Sequence, residues 1–312
     1  MNTDLSICIV NWNTSELLRG CLDSIYENAW HVTFEVIVVD NASHDGSPDM
    51  VRQQFPQARL ITNDDNVGFA RANNQAFKVA AGRYVLLLNS DTLVQPGAFD
   101  GMVEFMDTHA DAGMVGCKLL NADGSLQRSC WRGFPSLKMA VIDAFYLWRI
   151  APGWNWVKSM EIPEAELHQV LEVDHILGAC MMVRGEIIQQ IGGMVENIFL
   201  FLEETEWCYR FQKHGWKIYY LPTVRVIHFG QQSVHKNPER TLPEKYRNFA
   251  WFYRTFQNPS RIQQGLLKLV TLAAGVVRMG LWTWRSRKQD QRTQALRMRH
   301  GYWLVVKQEF KP

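Results

Sequence analysis

The chain has 312 residues, 47% of them hydrophobic and 21% charged, with a formal net charge of +2. That length and apolar content bury a large core, enough for one domain or one and a half, and exclude wholesale disorder. The charge is uneven: from Arg278 onward nine Lys or Arg face two acids, a net of +7, which leaves −5 for residues 1–277. Six cysteines at positions 8, 21, 117, 130, 180 and 208 show no CxxC pair or metal-like spacing. They sit mostly among apolar neighbours and read as buried free thiols of a reducing compartment. The first residues, MNTDLSICIV, lack the basic and long apolar regions of a signal peptide, so a cytoplasmic location is expected.

In chain order, Leu5 to Val10 is a buried strand, and Thr14 or Ser15 can cap a helix with Leu17, Leu18, Cys21, Leu22 and Ile25 at helical spacing. Phe34 to Val39 is a second buried strand ending at Asp40 and Asn41, and Leu60 and Ile61 belong to a short third. Residues 66–82 predict a helix capped by Asn66 and stopped by Gly82, with Gly68 and Ala70 in its first turn. Small residues there either admit a phosphate to backbone N–H groups or allow close helix–sheet packing. The run YVLLLNSDT, Tyr84 to Thr92, is a strand buried on both faces that stops at Asn89, Ser90 and Asp91. Strands alternating with helices, each leaving through polar residues, predict an α/β fold with a mostly parallel sheet. Trp12, Asp40 and Asp91 then share one sheet edge, where open α/β sheets place ligands.

Pro96 opens a helix to about His109, and Gly113 to Leu119 is a further strand. Residues 121–170 are irregular and rich in aromatics, among them Trp131, Trp148 and Trp154, as an acceptor region or a satellite core would be. Ile176 to Val183 reads as a strand with Gly178 and Ala179 where a ligand or backbone passes closely. Glu203, Glu204 and Glu206 crowd the start of a helix that runs to about His214 and stops at Gly215. The macrodipole favours acids there, but three exceed what capping needs, and like charges so close raise at least one pKa, which is how a general base is tuned. Short strands over 218–221 and 224–227 follow, then His228, which by itself reads as structural.

The ordered motifs SICIVNWNT, VVDNASHDGS, NVGFARANNQ, LLLNSDT, GACMMVR, FLEETEWCYR and VIHFG, spread over residues 4–235, resemble the family 2 inverting glycosyltransferases of GT-A (Rossmann-like) fold. The rhamnosyltransferase branch in bacteria is the most similar. The resemblance implies a nucleotide-sugar-binding half over 1–120 and an acceptor and catalytic-base half over 121–235, followed by a helical basic region over 236–312. It implies a donor site from Val10, Asn11, Trp12, Asp40, Asn41, Gly68, Phe69, Ala70, Asn73, Asn89, Ser90 and Asp91, with Trp12 stacked on the base and Asp40 bonded to its ring nitrogen. Asn89-Ser90-Asp91 matches the family's DxD-like motif, so Asp91 would hold Mg²⁺ or Mn²⁺ on the donor diphosphate, with His228 in the same shell. Glu204 falls at the catalytic base, with Glu203 as its rival, and acceptor contacts are expected from Gly178, Ala179, Trp131, Arg132 and Glu206. Two positions depart from the family pattern: Asn89 replaces an Asp in the metal motif, and the base is Glu rather than the commoner Asp.

Residues 261–284 are strongly apolar, but only nine uncharged residues separate Lys268 from Arg278, fewer than the roughly 20 that span a bilayer. Gln264, Lys268, Thr271, Gly275 and Arg278 form one narrow polar stripe, and Trp282, Trp284 and RSRK follow. This pattern fits a helix in the interface of an anionic inner membrane leaflet, or one packed on the catalytic domain or on a second copy in a homodimer. Tryptophan beside the basic segment favours lipid over nucleic acid. A membrane surface fits a lipid-linked glycan or growing surface polysaccharide as acceptor, and the resemblance makes dTDP-L-rhamnose the leading donor, with a UDP-sugar as the alternative. A non-catalytic nucleotide-sugar-binding scaffold would have lost the acids at 203–206, which are present. A nucleotidyltransferase would need a glycine-rich basic loop where NWNTSELLRG stands.

Overall fold

The computed structural model describes residues 3–310 except 128, 132, 152, 159–161, 163–165, 231–236 and 288–291, and only the backbone of Trp131 and Lys158. The chain divides into two compact units. One comprises Met1–Arg132, Ile162–Phe199 and Glu203–Gly230; the other comprises Gly133–Glu161, Leu200–Leu202 and Gln231–Pro312. Residues 133–161, read in the sequence with the acceptor half, therefore fall in the second unit.

The first unit opens with β1 (Leu5–Asn11), α1 (Ser15–Tyr26), β2 (Phe34–Asp40), α2 (Ser47–Gln54), β3 (Arg59–Thr62), α3 (Phe69–Phe77) and β4 (Tyr84–Asn89). It continues through β5 (Thr92–Val94), α4 (Ala98–Thr108), β6 (Ala112–Leu120), β7 (Leu126–Gln127) and β8 (Cys130–Trp131). After α5 (Leu137–Ala144), α6 (Leu147–Ile150) and α7 (Asn155–Lys158) of the second unit come β9 (Leu171–Glu172), β10 (His175–Ile176), β11 (Cys180–Arg184), α8 (Gly185–Ile191), α9 (Glu203–Lys213) and β12 (Lys217–His228). The second unit ends with α10 (Pro238–Phe256), α11 (Arg261–Arg285) and α12 (Arg292–Gln308).

The main sheet runs β3-β2-β1-β4-β11-β6-β12-β5. Its first four strands are parallel, as their continuous apolar runs require, while β11 is antiparallel between β4 and β6, so the sheet is mixed. Strand order reverses between β1 and β4, the topological switch point at which α/β sheets bind ligands. Register puts Asn11 beside Asp40 and Val10 beside Asn89, which aligns the polar exits of three strands on one edge. Because β11 runs the other way, its amino end, preceded by Gly178 and Ala179, reaches the same edge: Cys180 pairs with Leu88, and Ala179 O accepts from Asn89 N at 3.0 Å.

Several local expectations change. Residues 176–183 form two strands rather than one, because β10 pairs with β8 before the chain turns into β11. The two short strands expected over 218–227 are one strand, β12, whose register against β6 shifts between Leu221 and Arg225; Pro222, which has no N–H for the ladder, lies inside the shift. Helix α3 stops five residues before Gly82, which instead lies tight against the backbone of Ser6. All six cysteines are free and buried, and burial pushes the Cys21 thiol up to about 12.

In the second unit Leu242, Met298, Tyr302 and Val305 form a small core. The buried face of α11 carries Leu267, Thr271, Ala274, Gly275 and Arg278. Most of the polar stripe read from the sequence is therefore turned into the protein.

Candidate active site

The exits of β1 and β2 are tied into one corner. Asn11 is fully buried; its Nδ2 donates to Asp40 Oδ1 at 2.8 Å and to Ser43 Oγ at 3.1 Å, while Ser43 N donates to Asp40 Oδ2 at 2.8 Å. Asp40 is only 1% exposed, and each of its oxygens, although engaged, keeps a second lone pair. The corner bends sharply, with Asn13 and Ala42 both at positive φ, 53° and 59°, where non-glycine backbone is strained. Trp12 leaves β1 here half-buried.

Thr14 occupies the position before α1, but its side chain makes no capping bond. It donates instead to Asn11 Oδ1 at 2.6 Å and shares a 2.9 Å bond with Ser90 Oγ, and so couples the exit of β1 to that of β4 across the switch point.

Asn41 N donates to Asn11 O at 2.8 Å, and Asn41 Nδ2 reaches Gly68 O at 3.3 Å. Gly68 has φ +88° and packs so close to Phe199 that a Cβ would lie 2.7 Å from its carbonyl oxygen. Gly68 N donates to Asn66 Oδ1 at 3.0 Å and Phe69 N to Phe199 O at 3.1 Å. Two amides at the start of α3 are thus spent inside the protein rather than left for a phosphate, and the small residues serve close packing. Ala70 and Asn73 are buried on the inner face of α3, and Asn73 Nδ2 donates to Phe69 O at 3.0 Å.

At the exit of β4, Asp91 and His228 converge, 8% and 7% exposed, with Asp91 Oδ1 3.3 Å from His228 Nε2. His228 is the last residue of β12, opposite Thr92 of β5. Gln127, which the sequence reading missed, sets its tautomer. Gln127 Nε2 donates to His228 O at 3.2 Å and to Asn121 Oδ1 at 2.9 Å, so Oε1 is the end that faces His228 Nδ1 at 2.6 Å. Nδ1 then carries the proton and Nε2 the lone pair, toward Asn89 Nδ2 at 3.2 Å and the Asp91 carboxylate. Two electron-rich atoms 3.3 Å apart have the spacing of neighbouring ligands about 2.1 Å from one cation. A hard divalent ion fits this pair, with its imidazole oriented by a supporting amide. Among the described residues no group of three or more His, Cys, Asp or Glu forms a complete cage, so such an ion would draw its other ligands from a substrate or water.

Helix α9 brings the acids. Phe201 and Leu202, just before it, are consecutive residues at positive φ, 68° and 70°, which swing the chain sharply into Glu203. Glu203 is 3% exposed; burial and then Glu204 hold its carboxyl well above the ordinary value, and its Oε2 has no hydrogen-bond partner among the described residues. Glu206, expected at the acceptor, is buried with both oxygens held by Arg210, at 2.7 Å to Nε and 2.9 Å to Nη2. Burial pushes its carboxyl up against the pull of Arg210. Glu204 is the half-buried member of the three. A Cβ added at Gly178 would meet Glu204 Cβ at 3.5 Å and Phe69 Cε1 at 3.6 Å, so Gly178, Phe69 and Glu204 line one spot. Trp131 enters as the β8 position opposite His175, and Arg132 lies outside the described residues.

Residues 6–143 match the model for glycosyl transferase family 2. The chain is 27% identical over 227 residues to an N-acetylglucosaminyl-diphospho-decaprenol L-rhamnosyltransferase of Mycobacterium tuberculosis, a match spanning 68% of this chain and 72% of that one. It is 26% identical to an O-antigen biosynthesis protein of Myxococcus xanthus, over 73% of this chain and 17% of the other. Among solved structures, a mannosyltransferase of Pyrobaculum calidifontis, in complex with GDP-Man and Mn²⁺, superposes with TM-score 0.60 at 17% identity, covering 99% of this chain and 87% of that one. Together these matches identify residues 6–143 as a domain of glycosyl transferase family 2 and the chain as a glycosyltransferase of GT-A fold.

Proposed function

We propose that the chain is an inverting, divalent-cation-assisted transferase that moves L-rhamnose from dTDP-L-rhamnose to a hydroxyl of a lipid-linked glycan or growing surface polysaccharide, at the inner face of the cell membrane. The observation that carries the reading is the convergence, on one sheet edge, of Asp91 and His228 with the Gly178–Phe69–Glu204 spot at the start of α9. The rhamnosyl group and the lipid-linked acceptor follow the mycobacterial relative, which transfers L-rhamnose to N-acetylglucosaminyl-diphospho-decaprenol.

In this reading the base of the donor rests on Trp12 beside the Asn11–Asp40–Ser43 corner, whose buried bonds fix the strand exit from which Trp12 emerges. The free lone pairs of Asp40 accept from the base. Asp91 and His228 Nε2 would hold Mg²⁺ or Mn²⁺ at the diphosphate, with Gln127 Oε1 accepting from Nδ1 and orienting the ring. When bound, the cation neutralises charge that grows on the leaving nucleoside diphosphate.

Glu204 accepts the proton of the acceptor hydroxyl as that oxygen bonds to the anomeric carbon and the bond to the diphosphate oxygen breaks on the opposite face. One displacement inverts the configuration, and no covalent enzyme intermediate forms. Burial and the neighbouring Glu204 push the Glu203 carboxyl up, which favours its neutral form beside the base. Gly178 keeps a side chain away from the spot that Glu204 and Phe69 line, where the hydroxyl would come in.

A thermal-shift panel of dTDP-, UDP- and GDP-sugars with and without Mn²⁺ tests the reading, since a ligand that binds the folded state raises its stability. The expected result is a Mn²⁺-dependent stabilisation strongest with dTDP-L-rhamnose. A larger shift with a UDP-sugar would replace the donor, and no shift with any nucleotide sugar would overturn the catalytic reading.

A further inference from the structure

Helix α11 presents to the outside a face that a helix in water would bury. Its inward face holds the polar groups: Arg278 is 5% exposed, donates to Asp143 O at 2.8 Å, Asp143 Oδ2 at 2.9 Å and Tyr302 Oη at 3.3 Å, and lies 4.8 Å over the Tyr146 ring. Thr271 is buried on the same side, and Gly275 lets Val306 of α12 approach closely. The outward face carries Ile262, Leu266, Leu269, Val276, Leu281 and Trp284, with Ile262 77%, Leu269 62% and Trp284 61% exposed. At 3.6 residues per turn these six fall within an arc of about 140°, and they span ~33 Å of helix. A continuous apolar stripe of that length marks an interaction surface rather than scattered surface residues.

Charge decides between the candidate occupants. Arg261 opens the helix, Arg285 ends it and Arg287 follows, and Arg299 and Lys307 lie on α12; Arg278 and Arg297, also in this basic tail, are paired with Asp143 and Glu239. A second copy of this face would bring the same positive charge against itself, whereas an anionic bilayer complements it. Trp284 marks the end of the stripe, and Arg285 and Lys307 lie 4.8 Å over the rings of Trp282 and Trp303, an arrangement suited to the headgroup level.

By length and composition α11 could cross a membrane. Crossing would strip Thr271 and Arg278 of the partners that satisfy them, at a cost of several kcal/mol for a charged group in hydrocarbon. The protein already covers the polar side, so only the apolar side is left for lipid.

We infer that α11 lies flat in the headgroup–acyl boundary of an anionic bilayer, with the Ile262–Leu269–Val276–Trp284 face down and the Thr271–Arg278 face against the protein. The inference gives the membrane-borne acceptor of the proposed function a docking surface, and it rests on that reading for its purpose.

The test is sedimentation of the full chain with phosphatidylcholine vesicles, with and without phosphatidylglycerol, beside a Leu269→Glu/Val276→Glu variant. Both residues lie on the exposed face, so the fold should survive. The wild-type chain should pellet with the anionic vesicles and stay largely in solution with the neutral ones. The variant should bind at least about tenfold more weakly, from lost apolar burial and added repulsion. Equal retention of variant and wild type, or no retention of wild type, overturns the inference. So does a concentration-dependent dimer that the same variant dissolves, since a second copy would then cover the face. Nucleotide-sugar thermal shifts on the same two proteins keep the readings separable: donor binding without vesicle binding refutes this surface alone, and vesicle binding without donor binding refutes the catalytic reading alone.

Discussion

Replacing Gln127 by Leu tests the chain of inference from a hydrogen-bond network to a cation site. The amide nitrogen of Gln127 is spent on His228 O and Asn121 Oδ1, so its oxygen faces His228 Nδ1 at 2.6 Å and fixes the proton there. Without it the imidazole can turn or place its proton on Nε2, the atom 3.3 Å from Asp91 Oδ1. Loss of such a supporting partner lowers metal affinity about 10–100-fold, or ~1.4–2.8 kcal/mol. The assay is a Mn²⁺ titration at fixed dTDP, followed by thermal shift, in which the Mn²⁺ midpoint should rise by that factor. Without Mn²⁺ the variant should lose only about 1–3 kcal/mol of stability, the cost of leaving the His228 N–H without a partner. An unchanged midpoint in Gln127→Leu, together with a raised one in His228→Ala, would refute the tautomer argument. An unchanged midpoint in both would remove His228 from the ligand set.

Glu203 carries a pH prediction. Its folded pKa is raised above the ordinary 4.5, so its contribution to stability is intact below pH 4.5 and is lost as pH rises toward the folded value. Glu203→Gln should therefore raise the Tm at about pH 8 and change it little at about pH 4; equal shifts at both would refute the burial argument. Arg210 neutralises buried Glu206 and also donates to Ile191 O and Gly193 O at 2.8 and 2.6 Å. Arg210→Met should cost about 3–5 kcal/mol in denaturant unfolding, and a loss below ~1 kcal/mol would mean that Glu206 escapes to solvent or to another partner. Asn248, 4% exposed on α10, donates to Leu200 O at 2.9 Å and to Phe201 O at 3.3 Å, beside the two left-handed residues. Asn248→Ala should cost about 1–3 kcal/mol, and an unchanged denaturation midpoint would show that the turn holds without it.

What could be read in the sequence follows from range. The parallel strands announced themselves because burial on both faces demands unbroken apolar runs such as Val85 to Leu88, and each run ended at the polar residues that the sheet then gathers on one edge. The acids at the start of α9 were visible as a cluster, but not their division of labour, because Arg210 and the depth of burial separate Glu206 and Glu203 from Glu204. Gln127 gave no signal, since its partner is 101 residues away. Thr14 looked like a helix cap because Ser90, 76 residues on, is invisible to local pattern. The polar stripe of α11 was correctly spaced, but periodicity cannot tell an inward stripe from an outward one. That choice depends on Asp143 and Tyr302, which reach Arg278 from other helices.

The most direct test of the account is the transfer rate of Glu204→Gln, measured with donor binding on the same protein. With Glu204 as the base, transfer should fall about 10²–10⁴-fold while nucleotide-sugar affinity stays within a factor of about two. Transfer at the wild-type rate, or a loss of donor binding that alone explains the defect, would contradict the assignment of Glu204 as the base and, with it, the mechanism proposed for this site.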